Sequence, residues 1–175
     1  MTASAVLENI STLEIYQNLP EGAKYQLVEG KILDMPSPLE EHQELSMQLI
    51  MLLGNYIFSN KLGRFFHAPF DVYLSENNVY QPDLLFVSTS NTPLIERRGV
   101  MGAPDLIIEL LSEGSEHLDK KKKLRNYEKY GVKEYFIVDP EDNEVTSYYL
   151  EDGRYKAGYL GFNQIQSKVL NQNFK

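Results

Sequence analysis

Apolar residues recur along this chain with two periods, and the switches between them mark the elements. From Glu40 to about Ser59 the apolar positions Leu45, Leu49, Leu52, Leu53 and Tyr56 fall at helical spacing, predicting a long helix that ends before Gly63. Ahead of it, residues 12–18 read as a short helix with Ser11 or Thr12 as cap and Pro20 as stop. Tyr25–Val28 and residues 31–35 flank Glu29-Gly30 as a hairpin, closed off by Pro36 and Pro38. Residues 65–74 and 80–87 read as two strands joined by a turn at 75–78. Residues 89–103 are rich in turn formers and read as a loop or short helix. The continuous apolar run 106–111, bounded by Pro104 and Gly114, predicts a buried strand. A helix follows over 118–130, with Asp119 near its start and Gly131 as stop. Glu134–Val138 reads as a strand ended by Asp139-Pro140, and beyond Glu144 tyrosines alternate with polar residues about the turn at 151–153.

The resulting order is helix, three strands, helix, strand, with strand additions at both ends. A strand–helix–strand unit over 105–138 implies a parallel crossover, so an α/β (α+β) mixed sheet with helices is the expected architecture. No internal repeat, low-complexity segment or long linker divides the 175 residues, so 1–175 reads as one domain. A chain of this length hides roughly 70% of its unfolded surface and can bury a real core.

Composition narrows the chemistry. Cysteine is absent, which excludes disulfides, zinc thiolates and a thiol nucleophile. Three histidines speak against a multi-histidine metal site. No apolar run reaches the ~20 residues of a membrane helix, and MTASAVLENI lacks the basic start and apolar stretch of a signal peptide. A cytoplasmic location and no membrane partner are expected. The net charge of −8 counts against nonspecific nucleic-acid binding. That charge is uneven: residues 1–60 hold 8 acids and 2 bases, whereas 113–134 hold 7 bases and 5 acids.

Three features carry candidate chemistry. Gln81-Pro82-Asp83 enters an apolar strand; as a plain strand start, Pro and a turn-forming Asp also suffice. Glu109 interrupts the 106–111 run. Alternation puts Asp105, Ile107, Glu109 and Leu111 on one face and Leu106, Ile108 and Leu110 on the other. An ionised carboxylate there is costly unless paired or metal-bound. The third feature is Lys120-Lys121-Lys122-Lys123. At about 100° per residue, Lys123 falls on the inward stripe of Leu124, Tyr127 and Tyr130. Lys120 points inward a turn earlier, while Lys121 and Lys122 point to solvent. Lys123 therefore needs a partner, and Glu109 on the preceding strand is the obvious one; a structural salt bridge and a catalytic pair remain equally open. Glu41 and His42 open the long helix as ordinary surface residues, Asp119 reads as a helix cap or first-turn acid, and His67 and His117 carry no pattern. No Gly-rich phosphate loop, GxSxG elbow or HExxH pair is present. Two carboxylates and a lysine on adjacent strands and the next helix suit Mg²⁺ or Mn²⁺ and phosphodiester chemistry.

The sequence resembles the Uma2 family of restriction-endonuclease-like proteins, formerly a domain of unknown function common in cyanobacteria. The matching stretches are YQLVEG (25–30), PLEEH (38–42), QPDLLFVS (81–88), GAPDLIIELLS (102–112), then Asp119, Lys123-Leu124, Tyr127 and GVKEYFIVDP (131–140), so the likeness covers about residues 10–160. The family belongs to the PD-(D/E)xK nuclease superfamily, which implies a restriction endonuclease-like core of helix, three-stranded meander, helix and strand. Carried over, Asp83 is the first acid and Glu109 the second, both metal ligands. The superfamily lysine two residues past the second acid is Leu111 here. The family shares that departure, and Lys123 fits a lysine moved to the following helix. Glu41 takes the place of the acid that some members carry on the first helix near the metal. The resemblance thus implies a Mg²⁺-dependent (or Mn²⁺-dependent) endonuclease acting on DNA, for which a homodimer would be useful in cutting both strands. The alternative is a catalytically inactive nuclease-fold module that binds nucleic acid or protein. Residues 161–175 match the family least.

Overall fold

The computed structural model describes residues 11–112 and 118–175. The side chains of Asp119, Tyr159 and Leu160 lie outside that description, as do the expectations placed on Gly114, His117 and the first ten residues.

Helix α1 (Thr12–Gln17) begins at Ser11 with a reciprocal capping box to Glu14. The β1 (Tyr25–Val28) and β2 (Lys31–Asp34) hairpin turns through Glu29 and Gly30, both at positive φ. The long helix α2 (Glu40–Ser59) follows. Each of the two strands expected at 65–74 and 80–87 is broken in two: β3 (Gly63–His67) and β4 (Asp71–Ser75), then β5 (Asn78–Tyr80) and β6 (Leu84–Ser88). The breaks fall at Pro69 and Pro82, which have no N–H to give a ladder. As a result β3 pairs with β6 in one sheet, whereas β4 pairs with β5 in another. A 3₁₀ turn (Thr89–Leu94) leads into a short hairpin, β7 (Ile95–Glu96) and β8 (Gly99–Met101), where only a loop or helix was expected.

Strand β9 (Leu106–Leu110) is followed by a wide π-type turn (Leu118–Lys123) that runs into α3 (Leu124–Tyr130). Gly131 closes α3 at φ +91°, a left-handed value that suits glycine. Strand β10 (Glu134–Val138) lies parallel to β9, as the crossover requires. The chain ends in two hairpins, β11 (Glu144–Glu151) with β12 (Arg154–Phe162), and β13 (Ile165–Ser167) with β14 (Gln172–Phe174).

The central sheet has the order β12-β11-β10-β9-β6-β3, and the second has β2-β1-β5-β4-β8-β7. Helix α2, the meander β3-β6-β9, helix α3 and strand β10 form a restriction-endonuclease-like core. The alternation expected of β9 is observed. Leu106, Ile108 and Leu110 pack with Leu49, Leu53 and Ile57 of α2. Ile107 and Leu111 face Tyr127, Val132 and Tyr135, with Val72, Tyr80 and Val100 of the second sheet. Each such fully buried side chain contributes roughly 1.5–3 kcal/mol, so both faces of β9 are firmly held. Leu52, expected on the core face of α2, is 40% exposed, and Ile57 fills the core instead. The β13–β14 hairpin closes the α2 side with Ile165, Leu170 and Phe174. Among the described residues no helix is long and apolar enough to cross a membrane.

Candidate active site

Glu109 sits mid-strand in β9 and is 2% exposed. Its Oε1 lies 2.9 Å from Lys123 Nζ and accepts a 2.8 Å hydrogen bond from the Tyr127 hydroxyl. Lys123 and Tyr127 are one helical turn apart, so the end of the π-type turn and α3 aim both at the same oxygen. Burial, and then the charge of Glu109, push the Tyr127 hydroxyl well above the ordinary tyrosine range. It therefore stays a proton donor at any working pH. Tyr80, pushed up to about 12 by burial, stacks edge-on to Tyr127 and accepts a 2.8 Å bond from Asn126 Nδ2. This fixes the floor under the pair.

The lysine run divides as helical phase demands at its end and differs at its start. Lys123 is buried and Lys121 is exposed. Lys122 reaches Glu29 at 2.8 Å on the surface. Lys120, expected to point inward, is exposed. The wide turn over Leu118–Lys123 changes the angle per residue there, so a 100° wheel fails before Lys123.

Asp83 stands at the break between β5 and β6. The β6–β9 register pairs Leu84 with Ile108; carried one residue on, it sets Asp83 across from Glu109. Asp83 Oδ2 accepts the Leu110 N–H at 2.8 Å, occupying the rung where a strand carbonyl would stand. Its Oδ1 lies 3.3 Å from His42 Nε2. Burial alone would lower the His42 pKa, but the hydrogen bond to Asp83 and its negative charge more than offset this and raise it. His42 Nδ1 is buried with no hydrogen-bond partner.

The residue of α2 that reaches the site is thus His42, whereas Glu41 beside it is exposed. The sequence held a signal for this. His42 lies three, seven and eleven residues before Leu45, Leu49 and Leu53, near the middle of the buried stripe, whereas Glu41, four before Leu45, falls beyond its edge. Tyr127 was visible as an inward residue, but its hydroxyl's partner was not.

Two neighbours of the motif are structural. Gln81 donates to Asp71 Oδ1 at 2.9 Å and to the Ala23 carbonyl at 3.2 Å, clamping the Pro82 break to the second sheet. Asp105, at the other end of β9, accepts from the Ser88 N–H at 2.7 Å and from Asn91 and Lys133. Burial alone would raise its pKa, yet these donors bring it below the usual carboxylate range.

Glu109 and Asp83 offer carboxylate oxygens, the ligand type a hard divalent cation takes, and Lys123, Tyr127, His42 and the Leu110 N–H already contact these carboxylates. Among the described residues, no three His, Asp or Glu side chains form a ready-made metal cage.

With this geometry in place, comparison with known proteins is decisive. The family model described as "Uma2: Putative restriction endonuclease" matches residues 12–171. The chain belongs to the Uma2 family. One similar solved structure is described as a "putative nuclease belonging to DUF820" from Anabaena variabilis ATCC 29413. The two share 22% identity with a TM-score of 0.70, over 85% of this chain and 83% of that one, which shows a common fold. No curated protein matches the sequence. The Uma2 match spans α1 to the turn of the last hairpin, so it takes in Asp83, Glu109, Lys123 and His42 together. Family and fold support a nuclease-type function.

Proposed function

We propose that this chain is a Mg²⁺- or Mn²⁺-dependent endonuclease that hydrolyses DNA phosphodiester bonds in the cytoplasm, with residues 1–175 acting as one nuclease domain. The observation that carries the reading is the buried Lys123–Glu109 pair, set beside Asp83 across two neighbouring strands. A buried ion pair is weak as a stabilising device, because desolvation offsets most of the attraction. A buried lysine–carboxylate pair one strand from Asp83 is better explained by chemistry.

Asp83 and Glu109 would hold the cation, which when bound polarises the phosphate and lowers the pKa of water. The remaining roles belong to the chain. Lys123 Nζ orients the attacking water and stabilises charge that builds on the phosphate oxygens. Tyr127 fixes the rotamer of Glu109 by donating to Oε1. His42 and the Leu110 N–H hold the two oxygens of Asp83 in place. Glu41, exposed beside His42 on the first turn of α2, would serve as the outer acid that the resemblance implies.

A second reading is a nuclease fold kept as a binding module. It is favoured by the net charge of −8 and by protein donors already on both oxygens of Asp83. Calorimetric titration of Mg²⁺ and Mn²⁺ into wild type and Asp83→Ala, with cleavage assays on supercoiled, linear and single-stranded DNA, separates the two. Metal binding and nicking that vanish together in Asp83→Ala and Glu109→Ala are expected. A wild type that binds neither ion and cuts no DNA form overturns the nuclease reading.

A further inference from the structure

His42 is brought to the site but is poorly satisfied there. It sits on the first turn of α2, and its side chain is 12% exposed, against 17% for Asp83. Both are partly open to water, whereas the side chains of Glu109 and Lys123 are each 3% exposed. The buried stripe of α2 fixes the direction of the ring, which meets Asp83 at the break between β5 and β6.

A buried histidine held for structure has its ring nitrogens hydrogen-bonded. His42 departs from this at both. Its Nδ1 is buried with no hydrogen-bond partner. Its Nε2 stands 3.3 Å from Asp83 Oδ1, longer than the ~2.7–2.9 Å of a charge-assisted N–H···O bond. As a brace for Asp83 alone, the ring is loosely placed. A buried polar atom without a partner needs a specific cause, and a bound ion is one such cause.

The 3.3 Å spacing also suits a shared metal. Two ligands each about 2.1 Å from one ion, at tetrahedral or octahedral angles, stand about 3.0–3.4 Å apart. Nε2 and Oδ1 fall within that range. The Leu110 N–H already holds Oδ2, so Oδ1 is the oxygen that Asp83 turns toward the histidine.

We propose that His42 Nε2 is a direct ligand of the divalent cation beside Asp83 Oδ1, and that the site therefore favours Mn²⁺ over Mg²⁺. This rests on the reading of the site as one that takes a divalent cation. Imidazole nitrogen is a softer donor than carboxylate oxygen. First-row transition ions accept it, whereas Mg²⁺ keeps to oxygen ligands and its own waters. Before the cation arrives the ring braces Asp83; with the cation bound, both side chains serve the ion.

Calorimetry and pulsed electron paramagnetic resonance, with Mn²⁺ or Mg²⁺ as the added ion, test this. Wild type should bind Mn²⁺ about tenfold tighter than Mg²⁺, and bound Mn²⁺ should show the spin-echo modulation of a directly coordinated imidazole nitrogen. His42→Gln, folded by circular dichroism, should lose that modulation and bind Mn²⁺ about 100-fold more weakly. Its Mg²⁺ affinity should fall far less, so that the preference collapses. The chain has three histidines, so His67→Gln/His117→Gln leaves His42 alone. That protein should keep the modulation in full, which decides the matter even where His42→Gln fails to fold. Bound Mn²⁺ with no nitrogen modulation in this double variant overturns the inference and leaves the cation reading standing. So does a His42→Gln protein that weakens both ions alike, since a brace would act on both equally. A wild type that binds neither ion overturns the cation reading and the inference together.

Discussion

Lys123 Nζ and Glu109 Oε1 meet 2.9 Å apart with each side chain only 3% exposed, and removing either takes this charge partner from the other inside the protein. Lys123→Met should cost about 3–5 kcal/mol, read by urea unfolding. Replacing both residues by apolar ones of similar size should be neutral or stabilising by about 1–4 kcal/mol. Both proteins should be inactive. Activity that survives the double replacement would reduce the pair to a packing element.

Tyr127 supplies the second bond to the same oxygen. Tyr127→Phe keeps the ring and its edge contacts with Tyr80 and Tyr135 but loses the donor. A stability loss of about 1–2 kcal/mol is expected. In kinetics, kcat should fall with little change in KM, since the hydroxyl orients Glu109 and touches no substrate. An equal fall in affinity for DNA would assign Tyr127 to binding instead.

His42 gives the site a pH signature. Its folded pKa is raised, so its stabilising contribution is complete below the unfolded value of about 6.5 and is lost as pH rises through the folded one. The stability gap between wild type and His42→Gln should thus be wider near about pH 6 than near about pH 8. Proton NMR should show the His42 ring titrating above ordinary histidine. In Asp83→Asn the ring should titrate lower than in wild type, because the charge of Asp83 is lost while burial remains.

Glu134, at the start of β10, secures the last hairpin. Its carboxylate accepts from the Ser167 hydroxyl and Lys168 N–H at 2.6 Å and from the Val169 N–H at 2.8 Å. Burial raises its pKa in spite of these donors. Glu134→Ala should cost on the order of 3 kcal/mol by leaving buried donors unmet. Glu134→Gln should lie within about 1 kcal/mol of wild type. The raised pKa favours the protonated form in the fold, so wild type should lose ground to Glu134→Gln as pH rises through it. Amide exchange at Lys168 and Val169 should quicken in Glu134→Ala.

The elements written most plainly in the chain are β9, which faces two cores, and α2, which faces one. The β9 run and the α2 stripe each bury several large residues at regular spacing, so their periods survive in the sequence. The bent hairpin was less legible. Residues 65–74 and 80–87 are largely apolar, and Pro69 and Pro82 mark where each strand leaves one sheet for another. Strands β7, β8, β13 and β14 have two or three residues each, too few to show alternation. In the site, helical phase and charge sufficed to pair Lys123 with Glu109. His42 was hidden because a histidine on a first turn reads as surface until the strand break carrying Asp83 is brought beneath it.

The bond from the Leu110 N–H to Asp83 Oδ2 has a practical consequence. Here a main-chain amide answers to a side-chain carboxylate rather than to a carbonyl. Its resonance must follow every change in that carboxylate's charge, whether a proton, a cation or a phosphate arrives. Leu110 is thereby a built-in spectroscopic probe of occupancy, placed by the backbone itself and requiring no added label at the site.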